Sequence, residues 1–74
     1  MEKKLSDLQL GEKAIIKHIP QSLLSHVSGM GLRVNKPVEL SSKQPMKGPI
    51  TFTIGNSSIS LGRTLADQIT IEVK

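Results

Sequence analysis

The chain has 74 residues, with ten Lys or Arg against six Asp or Glu for a formal charge of +4, two His and no Cys. That length holds one domain, expected to span residues 1–74, and buries only roughly 60% of its unfolded surface, so a compact closed architecture is required. Without cysteine there is no disulfide staple, thiolate nucleophile or thiolate metal ligand, a composition that fits a reducing cytoplasm.

Phe52 is the only aromatic residue, so the core must be built from Ile, Leu, Val and Met. No apolar run approaches the roughly 20 residues of a membrane-spanning helix, and Met1 to Asp7 lacks the apolar stretch of a signal peptide. The expectation is a soluble intracellular protein with no membrane insertion. The net positive charge suits an acidic protein surface, a phosphate-rich ligand or nucleic acid, and by itself selects none of them.

In chain order, Leu5, Leu8 and Leu10 anchor an opening turn, with Ser6 as candidate N-cap and Gly11 as its end. Lys13 to Ile19 reads as the first strand. The pair Ile15-Ile16 breaks strict alternation there, implying two partly covered faces or a bulge, and Pro20 stops the strand. From Gln21 to Met30, the apolar Leu23, Leu24, Val27 and Met30 form one helical stripe, capped by Ser22 and closed by Gly31 in a left-handed conformation. The remainder alternates with period two: Val38 and Leu40, then Ile50, Phe52 and Ile54, then Ile59 and Leu61, and finally Ile69, Ile71 and Val73 face inward. Pro37 places its strand at an edge or marks its start.

Gly55-Asn56 is a two-residue hairpin signal in which both residues tolerate positive φ. Taken as the turn, it pairs Ile54 with Ser57, Phe52 with Ile59 and Ile50 with Leu61, and a one-residue slip would expose Ile59. Arg63 to Gln68 makes one helical turn with Leu65 and Ala66 inward. The fold class is therefore mainly β: a small SH3-like five-stranded antiparallel barrel with one short helix inserted after the first strand.

The chemistry of a catalytic centre is missing. No Gly-x-Ser-x-Gly elbow or recognisable Ser, His and Asp set occurs, and Gly29-x-Gly31 lacks the third glycine of a dinucleotide loop. No cofactor or enzymatic activity is expected. His18 and His26 are the only imidazoles, and no His-x-x-x-His or Glu-x-x-His spacing joins them to further ligands. His18 shares the strand face of Ala14 and Ile16 and reads as a partly buried or rim histidine. Peptide binding in an aromatic groove and base stacking on single strands both need exposed aromatics, which Phe52 cannot supply.

The basic residues remain. Arg33 and Lys36 follow the helix, Lys43 and Lys47 flank a loop with Pro45-Met46 at its tip, and Arg63 follows the hairpin. In a closed barrel the helix and the Lys43–Lys47 loop would share one rim, where Arg33 or Arg63 meets carboxylates of an acidic partner. Each also has a plain reading as a solvated surface charge. Gly31, Asn35, Gly48, Gly55 and Asn56 are the residues assigned to turns.

Several short pieces in order, Leu5-x-x-Leu8-x-x-Gly11, Ile16 and Ile19, Met30-Gly31-Leu32, Val38-Glu39-Leu40, Gly48-Pro49-Ile50, Ile54-Gly55, Ser60-Leu61-Gly62-Arg63, Ala66 and Ile69-x-Ile71, resemble the FeoA family. These are small cytoplasmic components of bacterial ferrous iron uptake with an SH3-like barrel. The sequence departs from the family's pattern at Val34-Asn35, where Pro-Gly is common, and at His26, where the helix often bears an arginine. The resemblance implies an accessory protein that docks on the FeoB permease and modulates its cytoplasmic GTPase domain. It also implies recruitment to the inner face of the membrane through that partner, with His26, Arg33, Lys43, Lys47 and Arg63 as contact candidates. No metal site is expected at His18 or His26, and despite the pathway the residues do not suggest that this chain handles iron as cargo. Two further classes fit a basic barrel: the SH3-like domain of an iron-dependent transcription repressor, although this chain has no room for a DNA-reading helix-turn-helix, and a nucleic-acid-binding barrel.

Overall fold

The computed structural model describes residues 1–43 and 48–74. In chain order the elements are β1 (Glu2–Lys4), a 3-10 turn η1 (Leu5–Asp7), β2 (Lys13–His18), α1 (Gln21–Ser28), β3 (Pro37–Lys43), β4 (Ile50–Ile54), β5 (Ser57–Leu61), α2 (Arg63–Ala66) and β6 (Thr70–Val73). All ladders are antiparallel. They join the strands into one sheet in the order β1-β6-β2-β3-β4-β5. The architecture is mainly β and SH3-like, with one more strand than the alternation indicates. β1 is short and charged, and it is held by pairing Glu2 to Lys4 with Glu72 to Thr70 of the last strand rather than by any apolar pattern of its own. No ladder joins β5 to β1 among the described residues, so the sheet coils around its core but keeps two edges.

The inward residues are those of the period-two pattern. Ile16, Val38, Leu40, Ile50, Phe52, Ile54, Leu61, Ile69 and Ile71 are buried, joined by Leu5, Leu8, Val27 and Leu32 from outside the strands. Phe52 is the largest fully buried side chain. The register of β4 with β5 is Ile54 to Ser57, Phe52 to Ile59 and Ile50 to Leu61, as the hairpin signal requires. Only Gly55, at φ 60°, has positive φ there, and Asn56 does not. That sign pattern is the II′ hairpin turn, which needs glycine at its first central position alone.

Several local assignments move. The bulge in β2 lies between Ile16 and His18 in the pairing with β6. An inserted residue reverses the facing of the positions after it, so Ile19 is buried and His18 is exposed, against its expected place on the face of Ala14 and Ile16. Pro37 is the first residue of β3, as one of its two readings has it, but β3 pairs with both β2 and β4 and is not an edge. Leu10 is no anchor: it projects from the turn Gln9–Glu12 with 68% of its surface exposed, a turn closed by the Glu12 N–H on the Gln9 carbonyl at 3.1 Å with Gly11 at φ 86°.

Neither expected serine cap forms. Ser22 lies inside α1, whose N-cap is Pro20, and no side chain caps that end. Ser6 is buried in η1, and its hydroxyl instead donates to the Asp67 carboxylate beside α2. The helix exit, by contrast, follows the glycine pattern. Gly31 has φ 97°, and the N–H groups of Gly31 and Leu32 reach back to the carbonyls of Ser28 and Val27 at 3.1 and 3.2 Å. This is a Schellman motif with Gly31 at C′, in which the residue after it packs against the last turn.

Candidate docking surface

Chain connectivity and register set the position of each basic candidate. After the Schellman exit, Arg33 to Lys36 form a tight turn, with the Lys36 N–H on the Arg33 carbonyl at 3.2 Å. Asn35 occupies its third position at φ 74°, the left-handed region in which Asn is the next most tolerated residue after Gly. Two backbone bonds pin the turn to β2: Asn35 N–H to the Ile16 carbonyl at 2.7 Å and Ile16 N–H to the Lys36 carbonyl at 3.0 Å. The bend therefore survives the replacement of Pro-Gly by Val34-Asn35, and it presents Arg33 and Lys36 exposed on a fixed backbone. His26 is exposed on α1, seven residues before Arg33. Leu24 and Val34, at 42% and 44% exposure, add apolar surface to the same stretch between β2 and β3.

Lys43 and Arg63 belong elsewhere. Lys36 directly precedes the first residue of β3 and Lys43 is its last, a separation of about 20 Å along an extended strand. The Lys43 ammonium donates to the Ser6 carbonyl at 3.0 Å, and Ser6 in turn holds Asp67. Register carries Lys43 to Ile50 and Ile50 to Leu61, two residues before Arg63. Arg63 is half-buried as the first residue of α2, which packs on η1. The single rim expected of these residues is thus two groups: His26, Arg33 and Lys36 at one end of β3, and Lys43 with Arg63 at the other. Lys47 and the Pro45-Met46 tip lie outside the described residues, and Gly48 is the first residue after them.

Two carboxylates that no local pattern marks complete the charge arrangement. Glu12 accepts from the Lys3 ammonium at 2.8 Å and from the Gln9 N–H at 2.8 Å. These bonds, the lysine first, hold its pKa below the usual glutamate value. Glu72 accepts from the N-terminal ammonium at 2.6 Å, which lowers its pKa likewise. Both partners are distant in sequence or unrelated by helical spacing, so no signal in the chain announces them.

Among the described residues, no three His, Cys, Asp or Glu side chains come together as a metal-holding group, and no helix is long and apolar enough to cross a membrane. The described residues form a small SH3-like fold with His26, Arg33, Lys36, Leu24 and Val34 exposed in the stretch between β2 and β3.

Comparison with known proteins agrees with that fold. The FeoA domain model matches residues 3–73, and the chain belongs to the FeoA domain family. That family is one of small accessory domains and not of enzymes. The fold superposes on the crystal structure of an iron uptake regulatory protein, FeoA, with TM-score 0.88 and 26% identity over 100% of this chain and 99% of that one. It superposes equally well, at TM-score 0.87 and 36% identity, on the solution structure of iron(II) transport protein A from Clostridium thermocellum, covering 96% of this chain but 45% of that one. A manganese-dependent transcriptional repressor shares the fold, with TM-score 0.88 and 16% identity over 99% of this chain and 42% of the repressor. No curated protein matches the sequence.

Proposed function

We propose that this chain is a cytoplasmic accessory protein of ferrous iron uptake that docks on the GTPase domain of a FeoB-type permease and modulates it, reaching the inner face of the membrane through that partner. The family match over residues 3–73 carries the reading. The end of the barrel bearing Arg33 and Lys36 supplies the chemistry: two exposed cations on a backbone pinned to β2, next to exposed Val34. Arginine binds carboxylates through two parallel N–H bonds, so Arg33 suits an acidic partner surface better than the point charge of a lysine. His26 contributes shape and one or two hydrogen bonds but no permanent charge.

Titration of the intact chain with the permease's GTPase domain, nucleotide-free, GDP-bound and with a GTP analogue, tests this. Saturable binding is expected in at least one state, weakened tenfold or more by the double substitution Arg33→Glu, Lys36→Glu. Absence of binding in every state at high micromolar concentration overturns it. Retention on DNA that disappears at moderate salt would favour a nucleic-acid partner instead.

A further inference from the structure

The sheet has two edges, and they differ in how they are guarded. β1 carries Glu2, Lys3 and Lys4, the charged residues that commonly keep an edge strand from pairing with another chain. β5 has none. The whole run from Gly48 to Gly62, which contains both strands of the β4–β5 hairpin, lacks a single charged residue in a chain that otherwise carries ten cations and six carboxylates. No proline or bulge interrupts β5, and its ladder with β4 is regular from end to end.

The register decides which backbone groups are spare. In a hairpin closed by a two-residue turn, the flanking pair Ile54–Ser57 is hydrogen-bonded, and bonded and non-bonded pairs then alternate. Phe52–Ile59 and Ile50–Leu61 are therefore bonded pairs, whereas Thr53–Ser58 and Thr51–Ser60 are not. The 3.0 Å approach of the Thr51 and Ser60 hydroxyls agrees with this, since side chains lie closer in non-bonded pairs. Ser58 and Ser60 accordingly direct their N–H and C=O groups away from β4, and both residues are exposed.

We propose that β5 is a self-association edge: two copies of this chain pair their β5 strands antiparallel about a two-fold axis at Ile59. That register sets Ser58 of each copy against Ser60 of the other, so that every outward N–H meets an outward C=O in four new hydrogen bonds. Ile59 then meets its own counterpart in the close, non-bonded position, apolar against apolar. A second copy is the fitting occupant because the strand is self-complementary in this register. In addition, the run from Gly48 to Gly62 carries no charge, so pairing β5 with β5 sets no cation of one strand directly against a cation of the other.

The intact protein is tested by sedimentation velocity across a concentration series, together with amide hydrogen exchange at low and high concentration. The weight-average mass is expected to rise from 8.0 kDa toward twice that value. The Ser58 and Ser60 amides should exchange at least tenfold more slowly in the associated sample, while those of Lys3 and Lys4 are unchanged. Ser58→Pro removes an outward N–H and no bond to β4, and Ser58→Lys adds a cation to each copy at the seam. Either substitution is expected to return the protein to a monomer with an unchanged circular dichroism spectrum. A monomer at every concentration, a dimer that persists in Ser58→Lys, or a dimer without added protection at Ser58 and Ser60 would each overturn the proposal. Protection of these amides only in the presence of another protein would overturn it too, assigning the edge to that protein instead.

Discussion

The N–H of Leu32 donates to the carbonyl oxygen of Val27 across the end of α1 at 3.2 Å, and both side chains are fully buried. This bond turns the chain from the helix into the Arg33–Lys36 turn, so the direction in which the basic end points depends on one left-handed residue, Gly31.

Replacing Gly31 by alanine tests that dependence. A Cβ there meets nothing within 4 Å, so the cost is backbone strain alone, about 1–2 kcal/mol. Gly29, at φ −65°, is the control. Its Cβ would touch only the His26 carbonyl at 4.0 Å, and Gly29→Ala is expected to change stability by less than about 0.5 kcal/mol. Urea denaturation of the two variants reads the difference.

Ser6 ties three elements together, accepting from Lys43 through its carbonyl and donating to Asp67 through its hydroxyl. Ser6→Ala leaves the carboxylate without this donor, and a loss of about 1–2 kcal/mol is expected. Because the two side chains are direct partners, a double-mutant cycle with Asp67→Ala should be non-additive by about 0.5–1.5 kcal/mol. Additive effects would show that the contact contributes nothing in solution.

Phe52 is the largest buried side chain of an otherwise aliphatic core. Phe52→Ala should cost about 3–5 kcal/mol, which matches the roughly 3–5 kcal/mol that a core of this size supplies. The variant is expected to be unfolded at 25 °C by circular dichroism. Ile71→Val, also at the core, should lose about 0.5–1.5 kcal/mol and keep a cooperative transition.

Stability should fall on acidification. Glu12 is held below its ordinary pKa by Lys3 and the Gln9 N–H, and Glu72 by the N-terminal ammonium. A carboxylate whose folded pKa is depressed favours the folded state above its unfolded value, about 4.3, and that contribution disappears as pH falls through the folded value. The denaturation midpoint is thus expected to be flat between about pH 5.5 and 7 and to decline below about pH 4.5. Glu12→Gln should flatten the decline, leaving the part due to Glu72. An unchanged profile in Glu12→Gln would mean that the Lys3 bond is not populated in solution.

The β4–β5 hairpin is legible in the sequence down to its register, because a one-residue slip moves Ile59 and Phe52 to opposite faces. The left-handed positions at Gly31, Asn35 and Gly55 are legible for a similar local reason, the steric cost of positive φ. The features that escape a sequence reading depend on partners far along the chain. β1 exists only because β6 lies beside it. Ser6 has the pattern of a local cap, yet its partner is 61 residues away. The two groups of basic residues read as one rim because sequence order does not say at which end of β3 each lies.

The pairing of β1 with β6 also brings the two ends of the chain to one corner: the Val73 N–H donates to the Met1 carbonyl at 2.9 Å, and the Met1 ammonium meets Glu72. Chain entering and leaving the barrel at neighbouring points can be joined by a short linker, and opened elsewhere, without disturbing the core. Such a barrel can be spliced into a longer polypeptide as a self-contained cassette, and the Gly55-Asn56 tip, exposed and far from both ends in sequence, is the natural place for new termini in a circular permutant.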